Sequence, residues 1–175
     1  MRKKPRAEDP LGLLDEDLEG EDGAEAGADE WTAATVEVTA VRLLARREHS
    51  RKELARKLHA RGVPPDLADE VLQSLQSRRL QSDERYAESL VNSRVARGQG
   101  PVRIRRDLAQ QGIPDAEIDA ALEAAGVDWY ALARETRVRR FGEEAPAEWK
   151  ERARQTRFLE YRGFNGDQIR EALGD

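Results

Sequence analysis

The strongest constraint on this chain is a phrase it writes three times, around Gly62, Gly112 and Gly163, which stand 50 and 51 residues apart. Four positions before each glycine are Leu58, Leu108 and Leu159, and one after are Val63, Ile113 and Phe164. Six after are Ala68, Ile118 and Ile169, and ten after are Leu72, Leu122 and Leu173. Twelve apolar residues in register at helical spacing predict a helix, a glycine stop, and a second helix facing the same core. A further helix precedes each phrase, from about Thr35, from Ser82-Asp83 and from Asp128, and no stretch alternates with strand period. The expected fold is therefore all-α: three tandem three-helix repeats at 31–80, 81–126 and 127–175, behind a leader at 1–30. A module of about 50 residues has a marginal core alone, so the modules are expected to stack into an elongated, curved array.

Local signals agree with that frame. Ser50-Arg-Lys-Glu53 reads as a capping box, Pro64-Pro65 presets a first helical turn, and Asp128 is a good N-cap. Arg97-Gly98-Gln99-Gly100-Pro101 looks like a phosphate loop, but no strand precedes it and no Lys-Ser or Lys-Thr follows. It reads better as a helix stop at Gly98, an N-cap at Gly100 and Pro101 in the first helical position, a tight corner that pins the arginines around it. Trp31, Trp129 and Trp149, with Tyr86, Tyr130 and Phe158, are assigned mostly to the core and module interfaces. His49, beside the Ser50 cap, is read as structural.

Charge divides the chain. The formal net charge is -5, yet residues 1 to 30 hold 4 bases and 11 acids, leaving 26 bases and 24 acids in the rest. The acidity thus belongs to a leader whose Pro, Gly and Asp/Glu content cannot offset chain entropy by burial. It is expected to be disordered, either a solvating tail or an arm that competes for the chain's own basic face. With no cysteine there is no disulfide, thiolate nucleophile or Cys-type zinc site. No apolar run approaches a membrane span, and Ala7-Glu-Asp-Pro interrupts any signal peptide. The expectation is an intracellular, cytoplasmic, soluble protein. His49 and His59 lack carboxylates at ligand spacing, and no catalytic constellation emerges. The chain is read as a non-enzyme with no cofactor and no metal.

Within the body the charges are sorted again. The third helix of each module opens on acids, which the helix dipole explains: Asp66, Asp69 and Glu70, then Asp115, Glu117 and Asp119, then Asp167 and Glu171. Residues 89–106 carry Arg94, Arg97, Arg103, Arg105 and Arg106 and no acid. Without acidic partners at helical spacing, such a run invites an external anion, either phosphate or an acidic protein. Arg134, Arg137, Arg139 and Arg140, then Arg152, Arg154 and Arg157, would extend a positive stripe along stacked modules.

The phrases Arg47-Glu-His-Ser-Arg-Lys-Glu-Leu54, Asp83-Glu-Arg-Tyr-Ala87, Arg97-Gly-Gln-Gly-Pro-Val-Arg-Ile104 and Arg157-Phe-Leu-Glu-Tyr-Arg-Gly-Phe164 together resemble the RecX regulatory proteins of bacteria. The resemblance covers about residues 35 to 173 and departs in the long acidic leader. It implies a protein that binds the RecA recombinase and its nucleoprotein filament and inhibits ATP hydrolysis, strand exchange and the coprotease role. Recombinational repair and the SOS response would be tempered accordingly. Under that reading Arg94, Arg97, Arg103, Arg105 and Arg106 form the central contact, and Arg137, Arg140, Arg154 and Arg157 extend it. The protein is expected to act as a monomer and to bind single- or double-stranded DNA weakly, without sequence preference. Two other readings stay open: a stand-alone helix-turn-helix DNA-binding protein, and a helical-repeat adaptor with no DNA role.

Overall fold

The computed structural model describes residues 31–174, so the acidic leader and the expectations placed on it lie outside the described residues. Among the described residues there are nine helices and no strand. The first module comprises α1 (Ala33–Leu44), α2 (Arg51–His59) and α3 (Pro65–Ser77). The second comprises α4 (Asp83–Ala96), α5 (Pro101–Gln110) and α6 (Asp115–Ala124), and the third α7 (Trp129–Phe141), α8 (Trp149–Arg162) and α9 (Gly166–Ala172). In each, the first and third helices make the most extensive contact and the middle helix packs across them.

The repeated phrase is the skeleton of all three cores. Of its twelve apolar residues eleven are buried, and Leu122 is half-buried. Leu58, Leu108 and Leu159 are wholly shielded from solvent, each burial favouring the fold by about 1.5–3 kcal/mol. One stop motif ends the middle helix in every copy. The amides of Val63, Ile113 and Phe164 donate to Leu58, Leu108 and Leu159, while the three glycines donate to the carbonyls three residues back. This is the pairing that needs a left-handed residue at the glycine, and φ there is +82°, +81° and +89°. The sequence period of about 50 residues is thus the period of one three-helix module, with one such stop between its second and third helices.

Capping follows the sequence in part. Ser82 and Asp128 cap α4 and α7, and Pro65 and Pro101 occupy first helical positions. At Ser50 the hydroxyl accepts from the Glu53 amide as a capping box requires. The Glu53 carboxylate, however, is taken by Arg47, at 2.5 and 3.1 Å, and lies 3.0 Å from His49 Nδ1. Full capping boxes form instead at Thr32 with Thr35 and at Asn165 with Gln168. Trp31 and Trp129 are half-buried against the first and second cores, as read from the sequence. Trp149 is not: it is 74% exposed.

Candidate basic interface at the junction of the second and third modules

The Arg97–Pro101 corner is where the second module meets the third, and the meeting is between backbones. A helix leaves amides unsatisfied at its start and carbonyls at its end. Here the start of α5 faces the end of α8: the Gly100 amide donates to the Arg162 carbonyl at 2.8 Å and the Val102 amide to the Gly163 carbonyl at 3.0 Å. Pro101, between them, has no amide to leave unpaired. The positive end of the α5 dipole thereby lies against the negative end of α8.

This approach leaves no space for side chains. A β-carbon on Gly100 would fall 2.3 Å from the Gly163 carbonyl oxygen, and one on Gly163 would fall 2.3 Å from the Arg103 β-carbon. Gly98 follows the end of α4 at φ +68°, and a β-carbon there would fall 2.7 Å from the Thr136 hydroxyl of α7.

Arginines from four helices converge on the corner. Arg97 closes α4, and its carbonyl accepts a hydrogen bond of 3.0 Å from the Arg162 guanidinium. Arg162 lies 5.1 Å from the centre of the Phe158 ring, and Arg103 of α5 lies 5.4 Å from that of Tyr161. Both are cation–π distances that hold a guanidinium against its ring. Burial lowers the Arg162 pKa, and the like charges of Arg103, Arg140 and Arg139 lower it further. Positive charge gathered this closely repels itself and gains from a polyanion or an acidic protein surface. Arg106 on α5 and Arg140 on α7 are exposed, as are Arg154 and Arg157 on α8. Arg154 also pairs with Glu151 at 3.3 Å and lies 5.4 Å from the Phe141 ring centre.

Arg94, Arg105 and Arg137, also expected as contacts, are engaged internally. Arg94 pairs with Asp107 at 3.3 Å and Arg105 pairs with Asp119. The acid-free run is therefore completed by carboxylates just beyond its end and on the next helix, not by an outside anion alone. Arg137 is 4% exposed and donates to the Glu144 and Glu143 carbonyls at 2.9 and 3.0 Å. It pins the turn after α7 and presents no guanidinium to a partner. In its place the structure supplies Arg139, which the sequence names only as part of the positive stripe, and Arg162, which it does not single out. An Arg-Gly pair at 97–98 and at 162–163 sets a guanidinium at each of two helix ends beside the crossing, but the same pair at 61–62 lies elsewhere, so the pair alone does not mark the site.

The chain matches the family models described as RecX first, second and third three-helix domains over residues 38–75, 82–122 and 127–173. It is 51% identical over 149 residues to a protein of Halorhodospira halophila named "Regulatory protein RecX", covering 85% of this chain and 91% of that one. A Pseudomonas fluorescens protein of the same name is 46% identical over 142 residues, covering 81% and 92%. The crystal structure of RecX from Lactobacillus salivarius shares the fold, with a TM-score of 0.65 at 23% identity over 81% of this chain and 94% of that one.

Proposed function

The chain belongs to the RecX family of regulatory proteins, and we propose that it regulates the RecA recombinase by binding its nucleoprotein filament. On this reading it acts as a cytoplasmic monomer. It restrains ATP hydrolysis, strand exchange and the coprotease activity, and so tempers recombinational repair and the SOS response. The observation that carries the reading is the arginine cluster at the junction of the second and third modules. Arg97, Arg103, Arg139, Arg140 and Arg162 are drawn from four helices and referenced to a glycine crossing that fixes their spacing. A filament offers DNA phosphate and protein carboxylates together, and guanidinium is suited to both.

The stand-alone helix-turn-helix reading fares worse. The third helices, which would enter a groove, open on exposed acids at Asp66, Asp115, Glu117 and Asp167 that phosphate would repel.

The test is ATP turnover by RecA on single-stranded DNA. The wild-type chain should suppress turnover at substoichiometric ratio. A variant carrying Arg97→Glu, Arg106→Glu, Arg140→Glu and Arg157→Glu, all exposed positions, should lose that effect while melting as the wild type does. Unchanged turnover at saturating wild-type protein would sink the proposal.

A further inference from the structure

Among the described residues, Trp149 is the large hydrophobic side chain most exposed to solvent, and nothing in the fold requires it there. A tryptophan left in water forgoes one of the largest burial gains any residue offers. It opens α8, where helical spacing places Trp149, Arg152, Ala153, Thr156 and Arg157 on one face. These five residues line an open depression of about 410 Å³. The Thr156 hydroxyl is turned away to the Arg152 carbonyl at 2.9 Å, and Ala153 keeps the floor low. The Lys150 ammonium lies 6.0 Å from the centre of the indole. Glu151, beside it in sequence, is engaged by Arg154 and by Gln155, at 3.3 and 3.2 Å. An exposed aromatic plane thus stands beside Lys150, with Arg157 exposed in the same lining.

We infer that this depression is a stacking site for one unpaired base of a single-stranded nucleic acid, with Trp149 as the platform and Arg157 and Lys150 holding the flanking phosphates. Every base has a π-face, so an indole with cations on either side takes single strands without reading their sequence. A duplex cannot use the site, because its bases are already stacked. A protein partner is the poorer fit. Lysine is depleted at protein interfaces, although tryptophan and arginine are enriched there, so a protein anchor is the alternative that the test separates. The inference extends the basic-face reading to a named base contact, but it needs no filament, so its test uses DNA alone.

The full chain is titrated into fluorescein-labelled oligo-dT at low salt and followed by fluorescence anisotropy, with tryptophan emission read in parallel for the wild type. The wild type should show saturable quenching. Trp149→Phe, which keeps a ring, should hold affinity within a few-fold, whereas Trp149→Ala should lose roughly 5- to 150-fold. Arg157→Glu should also weaken binding. Circular dichroism and melting should be unchanged in all three, since both side chains are exposed. On a duplex of equal length Trp149→Ala should make no difference. Wild-type affinity of Trp149→Ala for oligo-dT would overturn the inference, as would an equal loss on duplex and single strand. It would fall equally if Trp149→Ala bound DNA normally but failed on the RecA filament, because the indole would then be an anchor for protein. A failure of the filament proposal, read from ATP turnover, would leave the oligo-dT result intact.

Discussion

The two junctions between modules are built on opposite principles. Where the first module meets the second, the contact is made by side chains. Asp83, at the start of α4, accepts from the Arg51 amide at the start of α2 and from Gln81, at 2.8 and 2.7 Å. Gln81 also donates to the His49 carbonyl at 3.1 Å, Lys52 to the Gln110 carbonyl at 2.8 Å, and Arg85 to Glu48 at 2.8 Å. Where the second meets the third, the start of α5 donates two backbone hydrogen bonds to the end of α8 across glycines. A side-chain junction can lose one bond at a time and responds to protonation. A backbone junction tolerates no added carbon, and it is on this stiffer seam that the arginine cluster is mounted.

The sharpest way to break the comparison is Gly163→Ala. The new methyl would sit at φ +89° and 2.3 Å from the Arg103 β-carbon, so the crossing must open. A loss of more than about 3 kcal/mol is expected from the combined strain and clash. Urea unfolding should measure it, with hydrogen exchange rising first in α8 and at the start of α5. If this variant proves milder than the substitutions at the other junction, the stiffness assigned to the glycine crossing is wrong.

Glu53 ranks next, and it tests whether the first junction senses protons. Burial opposes its ionisation, but the close approach of His49 and the hydrogen bonds from Arg47 outweigh that and hold its pKa at about 2, below the ordinary 4.5. Its folded pKa is depressed, so its stabilisation is complete above about pH 4.5 and is lost as pH falls through about 2. Its charge in turn adds to the burial that raises the Tyr86 hydroxyl to about 12. Glu53→Gln should cost on the order of 2–3 kcal/mol at neutral pH, and the gap to wild type should close toward pH 2. Chemical unfolding across that range would show it; a gap constant with pH would mean that the carboxylate matters only by its shape.

Asp83→Ala removes the acceptor shared by the Arg51 amide and Gln81, and should cost about 1–2 kcal/mol. Filament inhibition should persist, because the arginine cluster lies at the other seam. Loss of inhibition without loss of stability would show that the two junctions are coupled.

The contrast also marks what can be read from the sequence. Helix stops, caps and cores follow from local period and from glycine, which is why Leu58, Leu108 and Leu159 are recognisable as core residues from their spacing alone. The partners of Arg94 and Arg105 are not legible in the run itself, because Asp107 and Asp119 approach only once α4, α5 and α6 have packed. Arg137 escapes a linear reading for a related reason: its burial depends on the turn at 143–144, whose carbonyls it satisfies. Trp149 stands on the surface rather than in a core, and an aromatic at a helix start has no periodic signal of its own to say so. The Gly98–Gly100 corner is legible as a helix stop and start, but its partner, Gly163, is 63 residues away from Gly100 and only topology brings them together.

The smallest expected effect bears on the link between the first and second modules. The end of α3 uses the same hydrogen-bonded stop as the repeated phrase, with the amides of Arg79 and Leu80 donating to the Gln76 and Leu75 carbonyls. The left-handed position there is filled by Arg79, at φ +57°, rather than by glycine. A side chain in that conformation costs roughly 1–2 kcal/mol, offset in part by the lower backbone entropy of a non-glycine residue when unfolded. Arg79→Gly should therefore stabilise the fold, by about 0.5–1 kcal/mol, a melting shift of a few degrees. The exposed arginine side chain makes no part of the basic cluster, so filament inhibition should be unchanged. If the variant instead destabilises, the carbonyl of Arg79, which accepts from Arg85 at 3.2 Å, is holding the first junction in register through this strained residue. The side-chain junction would then contain a backbone constraint of its own.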